Sequence, residues 1–300
     1  MPTGRSHHRT KEQHMSIMIT GASGQLGSLV VEGLLSAGVP AGGLVATGRD
    51  VSRLEPLAAR GVRTMSLDLA DEELLRTAFL GVDRLLLVST TTVGERFDHH
   101  RRAIDAARAS GVGRLVYTST VNAETARMRL ADEHRRTEEH LRASGVPFTI
   151  LRNGWYLENY TSQLPTIREQ GTLWGAAADG SVSGATRSDL AEAAAAVLTG
   201  DGHEGRTYEL GGEAFTLTEL AATMSEQLGT PVSYRDLPVD EYAAALAQAG
   251  LPAELAEVLA DADAGLARGE LHTASDDLAR LIGRAPTTPA QAIRAALGQG

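Results

Sequence analysis

The stretch Ile19–Ser28, ITGASGQLGS, sets three glycines, Gly21, Gly24 and Gly27, three residues apart between two apolar runs. The run before it, SIMIT, is short and β-branched; the run after it, QLGSLVVEGLLSAG, repeats its apolar positions at three-to-four spacing. A strand, a glycine turn and a helix in that order let the backbone approach a pyrophosphate closely and aim the helix's free N–H groups and positive dipole end at it. The spacing is G-x-x-G-x-x-G rather than G-x-G-x-x-G, so the turn by itself is also compatible with a tight βα connection that holds nothing.

The same alternation continues outward. SIMIT, LVATG, RTMSL, RLLLVST, RLVYTST and PFTIL are strand candidates; ELLRTAFLG, HHRRAIDAARASG and HRRTEEHLRASG are helical segments with a glycine where a C-cap belongs. Parallel strands joined by crossover helices predict an α/β fold, a Rossmann-type doubly wound sheet. Past Arg152 the rhythm loosens through NGWYLENY, returns with SDLAEAAAAVLTG and RTYELGG, and is mainly helical from Thr216 onward. The expected organisation is a dinucleotide-binding Rossmann domain of residues 15–151 plus 185–212 and a smaller, mainly helical substrate or lid domain of 152–184 plus 213–300. Residues 1–14, polar and without periodicity, are expected to be a disordered leader.

The second strand, LVATG, delivers its end to the adenosine ribose about 20 residues after the turn, where an acidic residue would favour NAD. Arg49 stands there, with Arg53 one helical step on. A guanidinium pairs with a 2′-phosphate in a fork, so NADP(H) is the expected cofactor, with Asp50 as the competing acceptor for a free hydroxyl. Asp68 ends the third strand where an adenine amine would lie, although it could instead cap the next helix. Ser89, Thr90, Thr118 and Ser119 sit at strand C-termini, where open α/β sheets place ligands; capping of the strand ends is the alternative.

Composition narrows the partners. A net charge of −10 without a basic cluster argues against nucleic acid. The absence of cysteine excludes disulfides, thiolate metal sites and cysteine nucleophiles. The pairs Glu12 with His14 and His99 with His100 lack a third ligand, so no metal is assigned. No run approaches the roughly 18 apolar residues of a membrane span, and no secretion signal is evident, which makes the cytoplasm the expected location and excludes a membrane partner. A monomer or homodimer is the expected state.

With TGASGQLG, the βα series, Arg49 and HRRTEEHLRASGVPFTILRNGWYLENY in hand, the chain resembles the NmrA-like branch of the atypical short-chain dehydrogenases. The resemblance runs from about Met15 to the C-terminus and includes ADEH (131–134), GAAADG (175–180), ATRSDLA (185–191) and HEGRTYEL (203–210). It implies a Rossmann part binding NADPH, a smaller part closing over the nicotinamide, and hydride transfer to a quinone. By that likeness Gly21, Ala22, Ser23, Gly24, Gln25 and Leu26, with Gly27, hold the pyrophosphate and Arg49 the 2′-phosphate. Asn153, Gly154, Trp155, Tyr156, Leu157 and Glu158 line the nicotinamide side, and Arg187 faces the cleft.

Classical short-chain dehydrogenases place a Tyr four residues before a Lys, the phenol being the acid. Here those positions are Leu130 and His134. Loss of the acid disables alkoxide chemistry, but a quinone gains aromaticity on taking hydride and its phenolate can take a proton from water. A protein that binds NADP(H) and reports redox state without turnover fits Leu130 equally. His134 and Tyr156 are the catalytic candidates. Trp155, Tyr156, Tyr160 and Trp174 are expected to form a flat slot for an aromatic acceptor, packing between the domains being the alternative.

Overall fold

The computed structural model describes residues 15–92 and 94–298; the expected leader at 1–14, with its Glu12 and His14 pair, lies outside them. The first half alternates as read: β1 (Ile17–Ile19), α1 (Gln25–Ser36), β2 (Leu44–Gly48), α2 (Glu55–Ala58), β3 (Arg63–Ser66), α3 (Glu72–Ala78), β4 (Arg84–Leu87), α4 (Arg96–Ala109), β5 (Arg114–Thr120), α5 (Arg129–Ser144) and β6 (Phe148–Asn153). Then come α6 (Glu158–Thr161), α7 (Leu164–Gln170), β7 (Thr172–Gly175), β8 (Ser181–Ser183), α8 (Arg187–Thr199), β9 (Arg206–Leu210) and β10 (Ala214–Thr216). The chain ends in α9 (Leu217–Leu228), β11 (Ser233–Asp236), α10 (Val239–Gln248), α11 (Ala253–Ala267), α12 (Asp277–Ile282) and α13 (Pro289–Ala296).

Seven strands pair in the order β3-β2-β1-β4-β5-β6-β9, every pair parallel. The inner strands, covered on both faces, read as nearly continuous apolar runs. Alternate residues feed two cores: Ile17, Ile19 and Val116 pack under α1 and α8, while Met18, Leu115 and Tyr117 pack under α3, α4 and α5. Each fully buried Leu or Ile contributes roughly 1.5–3 kcal/mol, which makes these two layers the main stabilising terms. Strand order reverses between β1 and β4, and a cleft opens over the strand ends there.

A third core, around Leu157, Tyr160, Phe215, Met224 and Leu266, belongs to the second part of the chain, with the short pairs β8–β10 and β7–β11. One segment departs from the expected division: Leu278 of α12 joins the core under α8 rather than that of the helical part. Asp189 of α8 explains the attachment, since its buried carboxylate accepts from Arg284 at 2.6 Å and from Thr287 N at 2.7 Å. The N-terminus of α5 has no side-chain cap of its own. Instead Glu270 accepts from the amides of Arg127 and Met128, both at 3.0 Å, and Asp261 from that of Arg129 at 2.6 Å. The second part thereby fixes the helix that carries Leu130 and His134. Among the described residues no helix is long and apolar enough to cross a membrane.

Candidate active site

The cleft at the switch point measures about 610 Å³. At one end lies the glycine turn. Gly21 has φ +63°, where a side chain is strained, and a Cβ on Gly27 would fall 2.4 Å from the Gly21 carbonyl oxygen, so helix and turn can be this close only without one. Helix α1 starts with no side-chain cap and no acidic residue in its first turn, leaving its first amides for an anion. Gly21, Ser23, Gly24, Gln25, Leu26 and Gly27 all line the cleft. Ala22 does not: its amide donates to Thr47 O at 2.7 Å and its methyl is buried in the core under α1.

Beyond the turn the same end is walled by Gly48, Arg49, Arg53 and Asp68. Asp50 is turned away from it. Its carboxylate accepts from Ser52 N at 3.0 Å and Ser52 Oγ at 2.6 Å, and those bonds hold its pKa below the ordinary carboxylate value. Asp68 accepts from Ala70 N at 2.9 Å, while Asp71 caps α3 through Leu74 N.

At the other end Ser89, Thr90, Thr118, Ser119, Leu130 and His134 line the wall with Asn153, Gly154, Trp155 and Tyr156. Leu130 and His134 share one face of α5, as a spacing of four requires. Arg187, at the start of α8, stacks 4.3 Å from the Tyr156 ring centre and pairs with Glu158. Burial pushes the Tyr156 hydroxyl pKa up, partly offset by the Asn153 side chain.

Four expected positions fall elsewhere. Leu157 is turned inward by the first turn of α6 and packs in the third core. Glu158 stands beside the cleft, accepting from the Arg187 amide at 2.8 Å rather than lining the cavity. Trp174 lies on β7, 40% exposed, with Nε1 donating to Gln170, away from the cleft. Tyr160, expected in the aromatic slot, is buried edge-on to Phe215 instead. The slot therefore keeps only Trp155 and Tyr156.

Behind this wall lies a buried polar network. Tyr117 on β5 is wholly buried, its hydroxyl 2.7 Å from His134 Nδ1. His100 Nε2 accepts from Thr90 N at 3.2 Å, so its Nδ1 carries the proton and donates to Thr137 Oγ1 at 3.1 Å, which donates to Glu133 O at 2.8 Å. With Thr137 so engaged, the Tyr117 proton goes to His134 Nδ1, and neutral His134 keeps its own proton on Nε2. Burial, then the nearby Arg96 cation, depress the His134 pKa well below its ordinary value; His100 falls to about 3 for the same reasons. His134 is thus a neutral donor, not an imidazolium acid. Lower down, Arg152 binds Glu138 at 2.9 and 2.6 Å and Glu209 at 2.8 Å, and Ser119 Oγ donates to Glu138 at 2.7 Å.

A family model described as the NmrA-like family matches residues 13–274. The chain belongs to the NmrA-like family. It is 47% identical over 278 residues to Quinone oxidoreductase 2 of Escherichia coli strain K12, covering 92% of this chain and 97% of that one. Its structure superposes with a TM-score of 0.91 and 46% identity on an NADPH-dependent quinone oxidoreductase from Escherichia coli complexed with NADPH, over 94% and 99% of the two chains. It matches the Citrobacter sp. triphenylmethane reductase complexed with NADP(H) at TM-score 0.88 and 36% identity, over 94% and 100%.

This NmrA-like cleft fits a nicotinamide dinucleotide on its own features. The uncapped α1 amides suit a pyrophosphate, and two buried oxygens at the far wall, Thr90 Oγ1 and Asn153 Oδ1, have no partner among the described residues and match a carboxamide. Sequence reasoning missed Arg96, Tyr117 and His100. Their signal was present: Arg96 and His100 occupy the stripe of α4 continued by Ala103, Ile104 and Ala107, where only apolar residues belong unless polar partners await them.

Proposed function

We propose that this NmrA-like chain is an NADPH-dependent quinone reductase, passing hydride directly to its acceptor without flavin or metal. The observation that carries the reading is one cleft with a phosphate-binding turn and paired guanidinium groups at one end and, at the other, Leu130 where an alcohol-forming dehydrogenase needs its acid. The names of its Escherichia coli relatives support the same activity.

NADPH, when bound, supplies the hydride. The α1 amides hold its pyrophosphate, Arg49 with Arg53 the 2′-phosphate, Asp68 the adenine amine, and Thr90 with Asn153 the carboxamide. Trp155 and Tyr156 offer the acceptor a flat, dry surface that brings it within reach. His134 Nε2–H donates a hydrogen bond to an acceptor oxygen, and the Tyr117 hydroxyl holds the ring in that tautomer. The remaining proton comes from water, since neutral His134 has none to give and Tyr156, its pKa raised, parts with its own reluctantly. The helical part, residues 152–184 and most of 213–300, acts as the lid. The protein works in the cytoplasm as a monomer or homodimer, without a nucleic-acid partner.

Stopped-flow loss of nicotinamide absorbance on mixing the NADPH complex with benzoquinone or menadione is the test. Turnover of neither, with NADPH bound, overturns the reading and leaves a binder that reports redox state.

A further inference from the structure

One buried cation lines the acceptor end of the cleft. Arg96, the first residue of α4, is 5% exposed yet lines the cleft on the side of His134 and Tyr156. It is gripped from behind: Nε donates to Thr90 O at 2.7 Å and Nη1 to Glu133 Oε2 at 3.3 Å, while Glu133 also accepts from Phe97 N at 3.4 Å. Glu133 itself does not line the cleft, and the described residues give Nη2 no acceptor. The buried pair is therefore oriented, with its positive member forward. Arg187, by contrast, is taken up by Tyr156, Glu158 and Asn159.

Burying a guanidinium costs several kcal/mol even when paired, and a preorganised cation facing a water-poor slot helps most where negative charge develops. A neutral quinone that accepts hydride gains one hydrogen and an electron pair; its ring aromatises and a charge of −1 rests on its oxygens until water donates a proton. NADPH is oxidised to NADP+ in the same step. An acceptor that begins as a delocalised cation runs the other way, its charge vanishing as hydride arrives.

We propose that Arg96 is a catalytic residue and a charge filter: its guanidinium receives the oxyanion formed on a neutral carbonyl acceptor and disfavours cationic acceptors. The inference rests on the quinone-reductase reading but is tested apart from it. Because Arg96→Met alone would strand a buried Glu133, the variant is Arg96→Met with Glu133→Gln, compared with Arg96→Lys. With the NADP+ complex, 4-nitrophenol titrated by its visible absorbance should ionise about one pH unit lower when bound to the native protein than when bound to the double variant. Benzoquinone turnover should fall on the order of 10²-fold in the double variant, with partial recovery in Arg96→Lys, while reduction of a cationic triphenylmethane dye holds or rises. Equal loss on both acceptors, or the same ionisation of bound nitrophenol in the native protein and the double variant, overturns the proposal. If the native protein reduces no quinone, the functional reading fails by itself; the nitrophenol shift still decides whether Arg96 receives an oxyanion.

Discussion

At the dinucleotide end, the cleft is walled by backbone amides of α1, a glycine turn and the side chains of Arg49 and Arg53; at the acceptor end it is walled by Arg96, His134 and Asn153, all buried. The first needs glycines where a Cβ cannot fit, and cations that water still screens. The second needs buried charges and imidazoles, each held by a partner from another element: Arg96 by Glu133, His134 by Tyr117, Arg152 by Glu138. One end is local in sequence and tolerant in energy, the other assembled across two helices and two strands and costly to disturb.

The largest test of that contrast is Glu138→Ala. It leaves Arg152 with Glu209 but strips it of both its bonds to Glu138 and frees Ser119, so unfolding by urea should show a loss of about 3–5 kcal/mol. Tolerance at the acceptor end would erase the distinction.

The helical part behind that end should respond to pH. Asp263, accepting from Ala176 N at 2.9 Å, is buried among Tyr160, Tyr234 and Tyr242, and burial first, then Asp236, raises its pKa to about 6. A carboxyl whose folded pKa lies above its unfolded value near 3.9 binds its proton better when folded, so its favourable contribution is complete below pH 4 and declines as pH rises through 6. Asp263→Asn, which keeps the acceptor, should gain roughly 3 kcal/mol over the native protein at pH 8 and nothing at pH 4. Urea midpoints at the two pH values measure it; parallel curves would show Asp263 to be solvated.

At the dinucleotide end, Arg49→Ala should leave the fold intact and weaken NADPH binding by about 1.5–3 kcal/mol, roughly 10- to 100-fold, with NADH binding unchanged. Fluorescence titration of both cofactors checks it. The smallest effect is expected of Tyr117→Phe, which frees the His134 tautomer while keeping the ring: a decrease of about 0.5–1.5 kcal/mol in transition-state stabilisation, read in kcat for benzoquinone. A stability loss with kcat unchanged would make Tyr117 purely a packing residue.

This contrast also separates what could be read from what could not. The glycine turn, Arg49, Asp68 and the i, i+4 pair Leu130 and His134 were legible because each depends on its own strand end or helix face. Trp174 and Tyr160 were misplaced because an aromatic gives no sign of which core will take it: Tyr160 went to Phe215, Trp174 to the exposed face of β7. Leu157 and Glu158 were turned off the cleft by a four-residue helix that the irregular stretch did not announce.

The sequence by itself determined the alternation of strands with crossover helices and the position of the anion-binding turn, properties of period and turn along one segment, while the missing acid at Leu130 was legible through the family resemblance. Only the tertiary structure decided that His134 is a neutral donor set by Tyr117, and that Arg96 lines the cleft with Glu133 behind it. Protonation state and the direction of a buried charge depend on desolvation and on partners some 17 to 37 residues away in the chain, and those meet only when the sheet has closed its layers.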